Sequence, residues 1–370
     1  MSASSPGDRG PARTRGIGLV GCGWVASMQL AAYQEARFSV VALTDHTPAK
    51  AERLRDAYYP DAVVHADAQS LLADPAVQVV AIATHPAGRP ALIEQALLAG
   101  RDVLSQKPFV EDLDDGERLC DLADRLGRTL AADANGRWAP HFAALVDAVE
   151  TGRVGTITSA DFWVYWPHDA VVAGMPAFAG MEDLVLYDFG IHWFDLVGAL
   201  LPGDARSVYA QVGRRVGQRV SAPTQAQVIV DHADAQVSLR FRAAEPRAEQ
   251  GGYRVDGDQG SVFHEGRSLG GTRVVVVTGQ TAAAMGGGPG EQEEIVEVAN
   301  DWFGPGMTGT MGELLAALDE GRAPRNAART ALPGLALCFA AVESARTGHS
   351  VVPGEVRRRP VPRASDATGP

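Results

Sequence analysis

The run Gly21-Cys22-Gly23-Trp24-Val25-Ala26 constrains this chain more than any other stretch. It follows a short apolar segment, Ile17-Gly18-Leu19-Val20, and opens a helical pattern that continues through Leu30 and Tyr33. Gly-x-Gly-x-x-Ala between a strand and a helix is the phosphate-binding corner of a βαβ unit. Gly21 permits the tight turn, Gly23 lets the backbone approach a pyrophosphate, and Ala26 lets the helix pack closely on the strand. The free N–H groups and positive dipole end of that helix then face the phosphates, with Trp24 and Val25 beside them. The second apolar run, Phe38 to Thr44, ends at Asp45. A carboxylate there accepts both ribose hydroxyls and repels a 2′-phosphate, so the chain is expected to bind NAD in preference to NADP. Asp45 also suits the start of a helix before Pro48, a role compatible with ligand binding.

From Gly16 to about Asn135 strand and helix patterns alternate, which implies a parallel sheet covered on both faces. The second half differs. Thr156 to Trp166 alternates as a strand, a Gly, Met and Pro-rich loop spans Ala170 to Met181, and a helix is expected from about Leu186 to Leu201. Six closely spaced strand-like runs between Ser207 and Val277 imply antiparallel pairing. Helices near Thr308 to Leu318 and Arg329 to Arg346 close the chain. The expected fold class is α/β: an N-terminal Rossmann doubly wound parallel sheet, then an α+β domain with an open, mostly antiparallel sheet. The expected boundaries are a disordered tail at 1–15, the dinucleotide-binding domain at 16–136, a second domain at 137–355, and a loose tail at 356–370.

At 370 residues the chain has room for two domains, and its formal charge of −12 argues against nucleic acid or an anionic membrane as the main partner. Cys22, Cys120 and Cys338 lie far apart, with no Cys-x-x-Cys pair. They fit a reducing cytoplasm better than a zinc site or disulfide framework. The nine histidines show no metal-ligand spacing, so no metal is expected.

Three places could carry chemistry. Lys107, in Gln106-Lys107-Pro108, follows the fifth strand, where ligands of a doubly wound sheet bind, although a lone lysine at a strand end is often only a surface residue. Asp188 and His192 lie four apart in an apolar segment and would share one helix face as an acid/base pair. They could equally be a helix cap and a core histidine. In the run Trp163 to Asp169, Trp166 and His168 suit stacking on a sugar ring and hydrogen bonding to it, or packing against another subunit. Asp195 reads as a structural hydrogen-bonding residue.

Together these pieces resemble the glucose-fructose oxidoreductase / inositol dehydrogenase (Gfo/Idh/MocA) family. The likeness is carried by Gly21 to Ala26, Asp45, Ala83-Thr84-His85-Pro86, the run Ala96 to Pro108, and Asp188, Gly190, His192 and Asp195. It implies a secondary-alcohol oxidoreductase for a sugar, cyclitol or sugar derivative, with Lys107, Asp188 and His192 as the catalytic trio. Thr84, His85, Gln106 and Asn135 then join the cofactor contacts, and Arg137, Trp166 and His168 the substrate contacts. A homodimer or homotetramer built through the C-terminal sheet is also implied. Two departures stand out. Gln106 replaces a usual glutamate and is expected to alter contacts to the nicotinamide ribose. Arg89-Pro90 stands where a histidine is usual, which points towards an anionic substrate. Two rivals are a redox-neutral epimerase or glycoside-cleaving enzyme with retained NAD, and a non-catalytic dinucleotide- or sugar-binding regulator.

Overall fold

The computed structural model describes residues 15–178, 180–203, 205–267, 269–279 and 290–360. The expected N-terminal tail up to residue 14, residues 280–289 and the last ten residues lie outside them. The chain begins with β1 (Ile17–Val20), α1 (Trp24–Glu35), β2 (Val40–Thr44), α2 (Pro48–Tyr58) and the short β3 (Val63–Val64). It continues through α3 (Ala68–Ala73), β4 (Val79–Ile82), α4 (Arg89–Leu98), β5 (Asp102–Gln106), α5 (Leu113–Leu126) and β6 (Leu130–Asp133). The six strands form one parallel sheet in the order β3-β2-β1-β4-β5-β6. The order reverses at β1 and β4, which places the ligand crevice beyond their carboxyl ends. β1 and β4 are buried along their whole length, as strands covered on both faces must be. α5 shows why helices fall where they do. Asp112 caps its N-terminus by accepting from the Asp114 N–H at 2.9 Å, and Gly127 ends it in the left-handed conformation.

After α6 (Pro140–Glu150) come β7 (Ile157–Tyr165), α7 (His168–Val172) and α8 (Ile191–Leu200). The remaining strands are β8 (Ala205–Gly213), β9 (Gln225–His232), β10 (Gln236–Arg242), β11 (Gln250–Gly257), β12 (Gly260–Gly266), β13 (Arg273–Thr278) and β14 (Gln292–Glu297). With β7 they make an eight-stranded sheet in the order β14-β13-β12-β11-β7-β10-β9-β8, antiparallel except where β7 meets β10. Residues alternate between its two faces. Phe162, Val228, Leu239 and Tyr253 are buried, while Ile229 on the other face is 49% exposed. β14 was not legible in the sequence because Gln292-Glu293-Glu294 carries no apolar alternation. It is an acidic edge strand, a composition that resists pairing with a further strand.

Contacts from far down the chain cross two of the expected boundaries. The first sheet is completed by residues far down the chain: α9 (Phe303–Glu320) packs on α1, and Met311, Leu314 and Leu315 share one core with Ile17, Leu19, Leu30 and Leu104. Asn326 ties the same segment to β6 through the Ala132 carbonyl at 3.2 Å. A cut at residue 136 therefore leaves that core incomplete. α10 (Leu332–Thr347) then returns to α8 and the second sheet. Residues Arg357 to Arg359 are also no loose tail. Arg357 accepts from the Leu113 N–H at 2.7 Å, and the Arg359 guanidinium pairs with Asp183 and Glu111 over the Tyr187 ring.

Candidate active site

The corner between β1 and α1 has the geometry a pyrophosphate requires. Gly21 sits at φ +94°, and a Cβ there would meet the Ala83 carbonyl at 2.9 Å, so only glycine fits. A Cβ on Gly23 would point into open space, and no side chain caps the first turn of α1. Those helix N–H groups are open to a ligand. Asp45 braces the turn. Its carboxylate accepts from the Cys22 N–H at 2.7 Å and the Thr47 N–H at 2.8 Å, and it has acceptor capacity left for ribose hydroxyls. Thr84 Oγ1, in the cleft beyond β4, is buried with no partner. An open glycine cradle and an orphaned hydroxyl are what a nicotinamide dinucleotide would fill. Gly21, Ala26 and Asp45 shape this corner, while Gly23, Trp24, Val25, Thr84, His85, Gln106 and Asn135 line the cleft.

Past the ends of β4, β5 and β6 the cleft, about 290 Å³ in volume, meets the second half of the chain. Lys107 reaches it from the end of β5. Its Nζ donates to Asp188 Oδ1 and to the Asp188 carbonyl, both at 3.0 Å. Asp188 Oδ2 faces His168 Nε2 at 3.0 Å. No hydrogen bond joins Asp188 to His192, so Asp188 orients Lys107 and His168 and not His192. The cause is local. Val185–Phe189 form a single π-type turn ahead of α8, and its wider winding carries Asp188 off the helical row of His192. Both residues nevertheless line the cleft, with Trp166 and His168.

Burial alone would raise the Asp188 carboxyl, but Lys107 and His168 outweigh it and hold the group well below the usual carboxylate range. Burial pushes His192 far below its ordinary value, the Lys107 cation adds to this, and Asp188 opposes it. At neutral pH the site thus holds an ionised Asp188 beside a neutral His192.

Gln106, at the cleft, has its own partners within the protein. Its side chain is buried, donating to Asp133 Oδ2 at 2.8 Å and accepting from the Lys107 N–H at 2.9 Å. Asp133 also accepts from Gln29 at 2.8 Å and from Thr310 Oγ1 at 2.6 Å. Burial raises this carboxyl to about 6 against those hydrogen bonds. Arg137 and Arg89 both have partners within the protein. Arg137 lies outside the cleft, in a buried bidentate pair with Asp195 whose two contacts are both 2.6 Å. Arg89 is buried and donates to the carbonyls of Thr84, Gln106 and Pro108, so its charge braces the backbone after β4 and β5, including the cis Lys107–Pro108 bond, while its Nε has no partner.

Sequence reasoning missed the residues that α1, the loop before β13 and α9 bring to the cleft: Met28, Leu269, Trp302, Phe303 and Met307. Apolar residues in a helix or loop carry no spacing signal for a site. Trp302 Nε1 donates to Asn135 Oδ1 at 3.1 Å, which fixes Asn135 at the cleft edge.

Residues 15–134 match the model of an oxidoreductase family with an NAD-binding Rossmann fold, and residues 142–263 match the Gfo/Idh/MocA C-terminal domain. The chain belongs to the Gfo/Idh/MocA family of nicotinamide-dependent oxidoreductases. It is similar to D-apiose dehydrogenase of Paraburkholderia graminis, 28% identical over 90% of this chain and 88% of that one. It is also similar to inositol 2-dehydrogenase of Rhizobium meliloti, 30% identical over 52% of this chain and 57% of that one. An oxidoreductase from Agrobacterium radiobacter, solved with NAD+, L-tartaric acid and magnesium, shares the fold. Its TM-score is 0.78 at 24% identity, covering 92% of this chain and 99% of that one. Among the described residues no helix is long and apolar enough to cross a membrane.

Proposed function

We propose that the protein transfers hydride between NAD and a secondary alcohol of a sugar, cyclitol or sugar derivative, in the cleft where Lys107, Asp188 and His192 converge. The observation that carries this reading is a cation and a neutral imidazole enclosed together where the glycine corner would direct a nicotinamide. Gly23, the first turn of α1, Thr84 and Asn135 would hold the dinucleotide, with Asp45 favouring NAD over NADP. When bound, the nicotinamide supplies the two-electron acceptor for hydride. The chain does the rest. Neutral His192 takes the hydroxyl proton as the carbonyl forms, and Lys107 stabilises negative charge developing on that oxygen. Asp188 positions Lys107, and a fixed cation needs little reorganisation as the charge appears. Reduction runs through the same groups in reverse.

Three free, buried cysteines support a reducing, cytoplasmic setting. The open face of the second sheet, where Ile229 is half exposed, is the proposed contact in a homodimer or homotetramer. Lys107→Met and His192→Ala test the catalytic roles. Each should lower turnover roughly 10²–10⁴-fold while NADH affinity stays within about threefold. Near-normal turnover in both would overturn the assignment.

A further inference from the structure

We infer that the substrate is a hydroxylated ring whose oxygens gather at one end and whose remainder is hydrophobic, being deoxygenated or bearing an alkyl or aryl group. This rests on the oxidoreductase reading of the same cleft. Its substrate side offers polar atoms at one place, the cluster of Lys107, His168, Asp188 and His192. Most other polar groups on that side are taken: both terminal nitrogens of Arg89 donate to backbone carbonyls, leaving only its buried Nε without a partner, and the Tyr187 hydroxyl donates to the Val110 carbonyl at 3.2 Å.

The rest of that side is apolar. Trp166, Val171, Met175, Phe178, Met181 and Leu269 line it, and each is partly exposed, so their surfaces are open to an occupant. Behind them Phe189 lies parallel to Trp166, with centroids 6.2 Å apart and planes 6° from parallel, and Trp193 packs on Phe189 at 5.2 Å. A ring with a hydroxyl on every carbon would press several of them against this wall. Each one left unpaired costs roughly a fivefold to hundredfold loss of affinity. A methylene or aryl edge in the same place gains about fourfold per buried carbon. The methionines can reshape to its outline.

The test compares a vicinal cyclohexanediol with myo-inositol, and phenylethanediol with glycerol, on the protein with NAD+ added. Two signals are read: NADH formation, and tryptophan fluorescence as a measure of binding that needs no turnover. The apolar member of each pair should be favoured by at least about tenfold in kcat/KM and in affinity. Met175→Gln combined with Phe178→Asn, at two partly exposed positions, should narrow that ratio at least about fivefold with an unchanged melting temperature. Preference for the polyols, no binding of either apolar probe, or a ratio unmoved by the double variant would overturn the inference. Tight binding of the apolar probes without NADH formation from any alcohol would instead count against the oxidoreductase reading and leave only the ligand preference of the cleft standing.

Discussion

The side chain of Gln106 does two things at once: its amide N–H satisfies the buried Asp133 carboxylate, and its carbonyl fixes the backbone N–H of Lys107. A glutamate here would bring a second carboxylate against Asp133, which is why the amide suits this chain. The pH dependence follows from Asp133. Its carboxyl stands at about 6 in the folded protein, above the ordinary 3.8, so the folded state holds the proton more tightly than the unfolded chain. Whatever stability protonation contributes is fully present below about 3.8 and lost as pH rises through about 6. Gln106→Glu should enlarge this effect. Two buried carboxylates share one proton at low pH and must both ionise at high pH. We expect urea unfolding to show a loss of about 3 kcal/mol at alkaline pH, most of it regained in mild acid. Adding Asp133→Asn should remove the pH dependence, and a loss equal at all pH values would contradict the account. None of this was legible beforehand. Asp133 lies on the neighbouring strand, and its partners Gln29 and Thr310 come from helices remote in sequence.

At the scale of elements, the π-type turn and α8 decide what the proposed catalytic residues can do. The spacing of Asp188 and His192 placed both in the right segment. It could not show that the turn would wind more widely and hand Asp188 to Lys107 and to His168 at the start of α7. Arg137 carries a related lesson. The family resemblance made it a substrate contact, yet the guanidinium crosses to Asp195 on α8 and ties the element bearing His192 to the end of the first sheet. Such a pair joins residues with no short-range spacing to announce it, although Asp195 itself read as structural. Arg137→Met strands a buried carboxylate and should destabilise the protein by about 3–5 kcal/mol in denaturant unfolding. Below the transition KM should stay within about twofold, because the residue does not touch the cleft. A large rise in KM with stability unchanged would restore a substrate role.

Across the whole molecule, the alternating first third declared the dinucleotide fold because each strand and helix there is a local pattern. The strand runs of the second half were also visible, since one face of that sheet is buried and alternation follows. The return of α9 to complete the first sheet was not visible, because nothing local distinguishes a helix packing on a distant sheet from one packing on its neighbour. That return carries function as well as stability. α9 and the Trp302 before it bring Phe303 and Met307 to the cleft while Met311, Leu314 and Leu315 close the core beneath. Four tryptophans, Trp24, Trp166, Trp193 and Trp302, line the cleft in which the nicotinamide dinucleotide should lie. The most direct measurement is therefore energy transfer from tryptophan to added NADH or NADPH. Saturable sensitised emission should appear with NADH at lower concentration than with NADPH. Gly23→Asp, which would fill the open phosphate cradle with a charged side chain, should weaken it by at least about tenfold. No saturable signal with either dinucleotide would contradict the account at its centre.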